Sequence, residues 1–416
     1  MSDLLLRNGH LWTGNGDEVL TGHDVRISDG RIVSVGAATL GGTAVQVIDC
    51  TDRWIVPGLI DCHMHFFGAR RSDPVYWAID PPLRSALRAA ADARRVLAAG
   101  FTSVRDAGSR VGVALAEAIA SGEAAGPRVV PAYLGISRTG GHGDVHSLPL
   151  TWVQEQPFMA LVVDGPEQCR RAVRQIARAG ARWVKVWATG GVLSERDDPR
   201  HSHLTPEELS MIVTEAHAVG LPVGAHCEGL PATKECVRAG VDVIEHGFYL
   251  DEEVAHEMAM RGVPLVTTLA FLERTAAGHG GDVPTYAMEA AQGIVADAGA
   301  SVRLAHELGV PIAMGTDTFA EPLTPFGRNA EELRCLRNAG LDAVTCLEAA
   351  TCVAAGVLGL GDEVGRIEVG RRADLLVLDG GVSPLDDVGA VIGAERTAAV
   401  IANGAVVSSD GREAVS

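Results

Sequence analysis

Trp54-Ile-Val-Pro-Gly-Leu-Ile-Asp-Cys-His-Met-His65 is an apolar, β-prone run that closes on two histidines at alternate positions. Side chains at i and i+2 of a strand point the same way, so His63 and His65 share one face. The pattern recurs down the chain. Lys185 lies within Trp183-Val-Lys-Val-Trp187, His226 closes Leu221-Pro-Val-Gly-Ala-His226, and His246 closes Val241-Asp-Val-Ile-Glu-His246. Asp317 closes Pro311-Ile-Ala-Met-Gly-Thr-Asp317. Polar residues at the C-terminal ends of successive strands are how a (β/α)8 barrel builds an active site. The expected fold is therefore an α/β, TIM-like (β/α)8 barrel in which these residues converge.

Helical patterns separate the β-prone runs, as parallel βα units require. Strands are expected at 55–65, 102–106, 128–135, 183–188, 222–227, 241–246, 264–268 and 311–317. Helices are expected at 84–99, 166–179, 206–219 and 330–339. Thr205-Pro-Glu-Glu208 reads as a helix start, with an N-cap threonine and an N1 proline. Both ends of the chain read instead as short strands with hairpin turns at Asp29-Gly30 and Asn403-Gly404. Residues 1–54 and 368–416 are thus expected to form one small β-sandwich, with the barrel over 55–367.

At 416 residues the chain exceeds what one hydrophobic core usually serves, which fits two domains. Its formal charge of −18 argues against nucleic acid or an anionic membrane as partner. No apolar stretch reaches membrane-spanning length, and Met1-Ser-Asp-Leu-Leu-Leu-Arg7 lacks the basic n-region of a secretion signal. The eight cysteines form no regular framework and read as small buried hydrophobes, so a cytoplasmic location is expected. A homo-oligomer is compatible with this sequence, which does not decide it.

A lone HxH pair is more often packing than chemistry. With His226, His246 and Asp317 at later strand ends, imidazole and carboxylate together suit divalent metal: zinc first, then manganese, iron or cobalt. Asp317 would serve both as ligand and as proton acceptor. Lys185 is harder to place, because an unpaired ammonium is costly in an apolar strand and has no lone pair for a metal. Ion pairing with a carboxylate, or substrate contact, would explain it. So would a depressed pKa, which lets the neutral amine capture carbon dioxide and form a carbamate that bridges two metals.

Together these motifs resemble the amidohydrolase superfamily in its binuclear, carboxylated-lysine subtype. The resemblance extends from Asp29-Gly-Arg-Ile32 to Gly365-Arg-Ile-Glu-Val-Gly-Arg-Arg-Ala-Asp-Leu-Leu-Val-Leu378. Thr139-Gly-Gly-His-Gly-Asp144 and Thr189-Gly-Gly-Val-Leu-Ser194 are similar to the imidazolonepropionase-like branch that includes prolidases, basic dipeptidases and mycotoxin amidases. The resemblance implies that His63, His65 and Asp317 hold one metal and His226 and His246 a second, with carboxylated Lys185 between them. It also implies that His142 polarises the scissile carbonyl. The expected substrate is a small molecule or peptide with an amide bond: a dipeptide, an N-acyl amino acid or a modified peptide, including peptide natural products.

One position departs from the family pattern. The prolidases carry His-Ala-Tyr at the fifth strand, and the tyrosine helps to hold the substrate carboxylate. This chain has His226-Cys227-Glu228. A glutamate would repel a carboxylate and favour a cation or an amide. Tyr133, Arg138 and Glu228 join His142 as candidate substrate contacts, and the loops 137–152, 194–203 and 270–282 as candidate walls. His201 and His203 repeat the HxH spacing but read as a solvated loop.

Two other readings compete. A mononuclear deaminase, or a cyclic-amidine or imidazolone hydrolase, of the same superfamily would need no lysine ligand. Its glutamate would stand three residues past the fifth-strand histidine rather than two. A non-catalytic scaffold would be expected to have lost several ligands, whereas this chain carries all six.

Overall fold

Eight short parallel strands form the centre of the computed structural model, which describes residues 3–37, 45–393, 396–409 and 412–413. They are β1 Leu59–Ala69, β2 Phe101–Asp106, β3 Arg128–Pro131 and β4 Val184–Trp187. The set continues with β5 Val223–Cys227, β6 Val243–His246, β7 Leu265–Thr267 and β8 Ile312–Met314. Parallel ladders join β1 to β2, β2 to β3, and β4 through to β8 in sequence order. Two sets of backbone bonds close the ring. Arg182 N–H donates to Pro131 O at 2.8 Å between β3 and β4, and Thr316 and Asp317 N–H both donate to His63 O, at 3.0 and 2.7 Å.

The strands are buried on both faces, which is why they read as nearly continuous apolar runs. Helices pack outside them on apolar stripes. The helix Pro206–Ala218 buries Leu209, Ile212, Val213 and Ala216, the 3.6-residue spacing that patterned the sequence. Its start is a full capping box between Thr205 and Glu208.

Two strands differ from expectation. The run from Ile55 breaks at Gly58, whose N–H donates to Asp374 O at 2.8 Å, and Trp54–Pro57 pairs in the terminal sheet instead. The run Arg128–Gly135 breaks after Pro131, because Tyr133 turns the chain at φ 65°. The short strand Gly135–Ser137 that follows pairs with Ala160–Val162 beside β4.

The termini build one nine-stranded sheet. Its order runs 412–413, 405–409, 397–402, 375–378, 54–57, 3–12, 19–28, 31–36, with 45–49 parallel to 3–12. Hairpins turn at Asp29-Gly30 (φ 49° and 77°) and at Asn403-Gly404 (φ 48° and 78°). Distant strands of this order share one core, with Leu6, Ile27 and Ile32 packed with Leu375 and Ile401. The sheet therefore folds back on itself, and Ile32 N–H donates to Arg371 O at 2.9 Å. All eight cysteines are unpaired and seven are buried. No helix among the described residues is long and apolar enough to cross a membrane.

Candidate metal centre at the mouth of the barrel

The six expected ligands come together, His63 and His65 from within β1, Lys185 from within β4, His226 and His246 from the ends of β5 and β6, and Asp317 from just past β8. His63 Nε2 lies 3.5 Å from Lys185 Nζ and 3.5 Å from Asp317 Oδ1. His65 Nε2 lies 3.2 Å from the same carboxylate oxygen. The ring of His246 is 4.9 Å from that of His63 and 4.5 Å from that of His226. One ligand atom each from His63, His246 and Asp317 falls within a span of 4.8 Å. His246 and Asp317 have left-handed backbones, at φ 70° and 49°. Such conformations are uncommon outside glycine and gather at functional sites.

A second layer of groups fixes the rings. The Nδ1 atoms of His63, His65 and His246 face Glu245 Oε2 at 2.6 Å, Gly108 O at 2.9 Å and Thr268 Oγ1 at 2.7 Å. His226 uses its other nitrogen, with Nε2 at 2.9 Å from Gly190 O. A neutral ring that donates to a carbonyl or carboxylate from one nitrogen keeps a lone pair on the other, the arrangement metal-bound histidines use. His246 Nε2 is buried and has no partner among the described residues. The donor set therefore fits divalent cations. Gly315 completes the packing, since a Cβ there would stand 2.6 Å from His63 Cβ.

Burial sets the protonation states. It lowers the pKa of His63 and His226 well below the ordinary value, helped by neighbouring Lys185 and His246 respectively. It takes His246 down to about 3. These three rings are uncharged at neutral pH, the form that binds metal. Lys185 is lowered to about 8 by burial, against the opposing fields of Glu245 and Asp317. For Asp317 burial pushes upward, but the hydrogen bond from His65 and the surrounding imidazoles outweigh it and hold the carboxyl far below its usual range.

His142 lines the same cavity, its ring stacked on His226 at 4.9 Å. Its Nδ1 lies 3.2 Å from Asp197 Oδ2, a side chain only 2% exposed. Glu228 also lines the cavity, buried, with Oε1 3.7 Å from His226 Nε2. Burial and the negative fields of Asp197 and Asp317 raise its pKa well above the usual carboxylate range. The remaining walls are apolar, among them Phe67, Trp77, Trp187, Phe271 and Phe319.

Three expectations are corrected. Tyr133 and Arg138 are not among the lining side chains. Tyr133 sits at the turn after β3 and packs on the core, and Arg138 lies half-buried in the following loop. The third concerns His203, which is buried rather than solvated. Its N–H donates to Ala188 O at 2.8 Å and Ser202 bridges Thr189, drawing this loop onto the end of β4.

Sequence reasoning missed the supporting layer. Glu245 joins His63 to Arg105, whose Nη2 is 2.5 Å from its second oxygen. Asp61 accepts from His63 N–H at 3.0 Å, Thr316 Oγ1 at 2.6 Å and Asn329 Nδ2 at 2.7 Å, tying β1 to the segment after β8. The available signal was a charged residue inside an apolar strand: Arg105 in Phe101–Asp106 and Glu245 in Val243–His246 each need a buried partner.

Residues 54–407 match the family model described as "Amidohydrolase family". The chain belongs to the amidohydrolase family. Among relatives of this amidohydrolase, ochratoxinase of Aspergillus niger is 33% identical over 401 residues, spanning 91% of this chain and 81% of that protein. A crystal structure of a prolidase complexed with N-methylphosphonate-L-proline superposes with a TM-score of 0.91 at 32% identity, covering 98% of this chain and 100% of the other. A Xaa-Pro dipeptidase with methionine bound gives 0.87 at 31% identity, covering 97% and 99%. This amidohydrolase is a hydrolase of amide-type carbon–nitrogen bonds.

Proposed function

We propose that the protein is a binuclear metal-dependent hydrolase that cleaves an amide or peptide bond in a dipeptide, an N-acyl amino acid or a modified peptide. The observation that carries this reading is Lys185, fully buried with Nζ 3.5 Å from His63 Nε2 in the middle of the imidazole cluster. In its neutral form the amine adds to carbon dioxide and releases one proton, leaving an anionic carbamate. His63, His65 and Asp317 would hold one divalent ion and His226 and His246 the other, with the carbamate shared. Bound there, the ions supply Lewis acidity, acidifying a nucleophilic water and polarising the scissile carbonyl.

The remaining chemistry belongs to side chains. Asp317 takes the proton of the attacking water and returns it to the leaving nitrogen. His142, its Nδ1 held by Asp197 Oδ2 at 3.2 Å, is placed to donate from Nε2 to the carbonyl oxygen as negative charge develops there. The aromatic walls exclude bulk water and grip an apolar part of the substrate. The ochratoxinase, prolidase and dipeptidase relatives support an amide substrate.

The test is a metal count per chain with bicarbonate supplied, alongside hydrolysis of dipeptides and N-acyl amino acids. Two ions per chain with metal-dependent amide hydrolysis is the expected result. One ion per chain with ammonia released from a cyclic amidine would replace this reading with the deaminase.

A further inference from the structure

The helix Leu269–Ala276, which follows β7, begins on Thr268. A threonine there ordinarily caps the helix with its own hydroxyl, but Thr268 makes no such bond. Its Oγ1 lies instead 2.7 Å from His246 Nδ1, on the side of the ring away from the buried, unpartnered Nε2. The capping falls to a side chain distant in sequence. Glu332, in the helix Glu331–Ala339, accepts from Leu269 N–H at 3.0 Å on Oε1 and from Ala270 N–H at 2.6 Å on Oε2. Thr267 Oγ1 also donates to Oε1, at 2.7 Å.

Glu332, Thr267 and Thr268 are all fully buried, so bulk water does not take over any of these bonds. The first N–H groups of a helix need an acceptor, and the nearest hydroxyl would supply it if Glu332 did not. Glu332 thus frees Thr268 Oγ1 for the imidazole. One turn before Glu332, Asn329 donates to Asp61 Oδ2 at 2.7 Å, and Asp61 accepts from His63 N–H at 3.0 Å. The start of one outer helix therefore braces two expected ligands, His63 through Asn329 and His246 through Glu332.

We propose that Glu332 is a positioning residue for the metal centre: by capping the helix after β7 it keeps Thr268 Oγ1 on His246, and so sets the affinity for the ion that His246 holds. The proposal rests on the binuclear reading for the identity of that ion. Glu332→Gln isolates the effect, because a carboxyl oxygen accepts from a backbone N–H in either protonation state and an amide nitrogen does not. Either Leu269 or Ala270 then lacks an acceptor, and Thr268 is the hydroxyl at hand to replace it.

Equilibrium dialysis against zinc, with bicarbonate supplied, tests it on the unsubstituted protein, Glu332→Gln, Thr268→Val and the double variant. Glu332→Gln is expected to weaken one of the two ions by roughly 10- to 100-fold and leave the other unchanged, as loss of a ligand's orienting partner does. Thr268→Val should weaken the same ion, and the double variant should be no worse than the poorer single one. Unchanged affinity for both ions in Glu332→Gln overturns the proposal, even where unfolding shows lost stability. Equal weakening of both ions overturns it too, as do additive losses, since Glu332 would then act by a route other than Thr268. Should Glu332→Gln fail to fold, Thr268→Val decides alone, and unchanged ion affinity in it overturns the proposal. A single ion on the unsubstituted protein sinks the binuclear reading separately. The role of Glu332 then stands if both variants weaken that ion and falls if they do not.

Discussion

His63 Nδ1 and Glu245 Oε2 stand 2.6 Å apart with both side chains buried, and Arg105 holds the other Glu245 oxygen. One carboxylate thus orients a metal-facing imidazole and neutralises a guanidinium that has no water to turn to. Arg105 also stacks on Trp183 at 4.2 Å and donates from Nε to Cys62 O at 2.7 Å. Removing the charge of Glu245 should strand Arg105 and release His63 together.

Glu245→Gln is therefore expected to weaken metal binding by roughly 10- to 100-fold, the usual effect of losing such a supporting partner. It should also destabilise the fold by about 3–5 kcal/mol, as breaking a buried pair does. Equilibrium dialysis and denaturant unfolding check the two effects. Unchanged metal affinity would show that Glu245 serves Arg105 alone.

Lys185 makes a prediction about metal-free protein. Its pKa falls from 10.5 in the unfolded chain to about 8 in the fold, so folding disfavours its charged form. Below pH 8 both states carry the proton and the whole penalty is present. Between about 8 and 10.5 the unfolded chain holds more protons, so stability rises with pH there. Lys185→Met should be more stable than the parent near pH 7 by a few kcal/mol, with the difference fading as pH approaches 10.5. Unfolding curves of the two chelated proteins across this window decide it, and parallel pH profiles would refute the shift. With metal and bicarbonate supplied, the same variant should bind fewer ions and lose turnover.

The barrel and the gathering of the candidate ligands were legible because apolar, β-prone runs carry those polar residues within or at the end of each run, and both signals are local. The hairpins at Asp29-Gly30 and Asn403-Gly404 were legible for the same reason, since left-handed turns select those residue pairs. What escaped was set by partners distant in sequence. Trp54–Pro57 joins the terminal sheet because 375–378 is there to pair with it. His203 is buried because its loop folds onto β4. The Asp61–Thr316–Asn329 and Arg105–Glu245–His63 networks each connect segments over a hundred residues apart. Composition cannot reveal such pairs. It reveals only that a buried charge needs some partner.

Asp317 is expected to be the proton-transfer group. Asp317→Asn keeps an oxygen for metal and removes the basic carboxylate, so metal content should hold. Turnover should fall by about 10²- to 10⁴-fold, the range general acid–base groups contribute. Steady-state kinetics on protein of verified metal content is the measurement. Near-parental turnover would reassign the proton transfer to another residue.

Gly191 tests the placement of His142 without touching its chemistry. A Cβ at Gly191 would stand 2.4 Å from His142 Cε1, too close for the ring to keep its stack on His226 and its contact with Asp197. Gly191 is in the Thr189–Ser194 motif after β4, so the loop approaches closely there for want of a side chain. Gly191→Ala should lower kcat by about tenfold or more, because small displacements of a group aimed at a developing charge are expensive. Once His142 is Ala, the same substitution should cost almost nothing. A double-mutant cycle on kcat measures this coupling directly. Additive effects would show that Gly191 acts through the loop and not through the ring of His142.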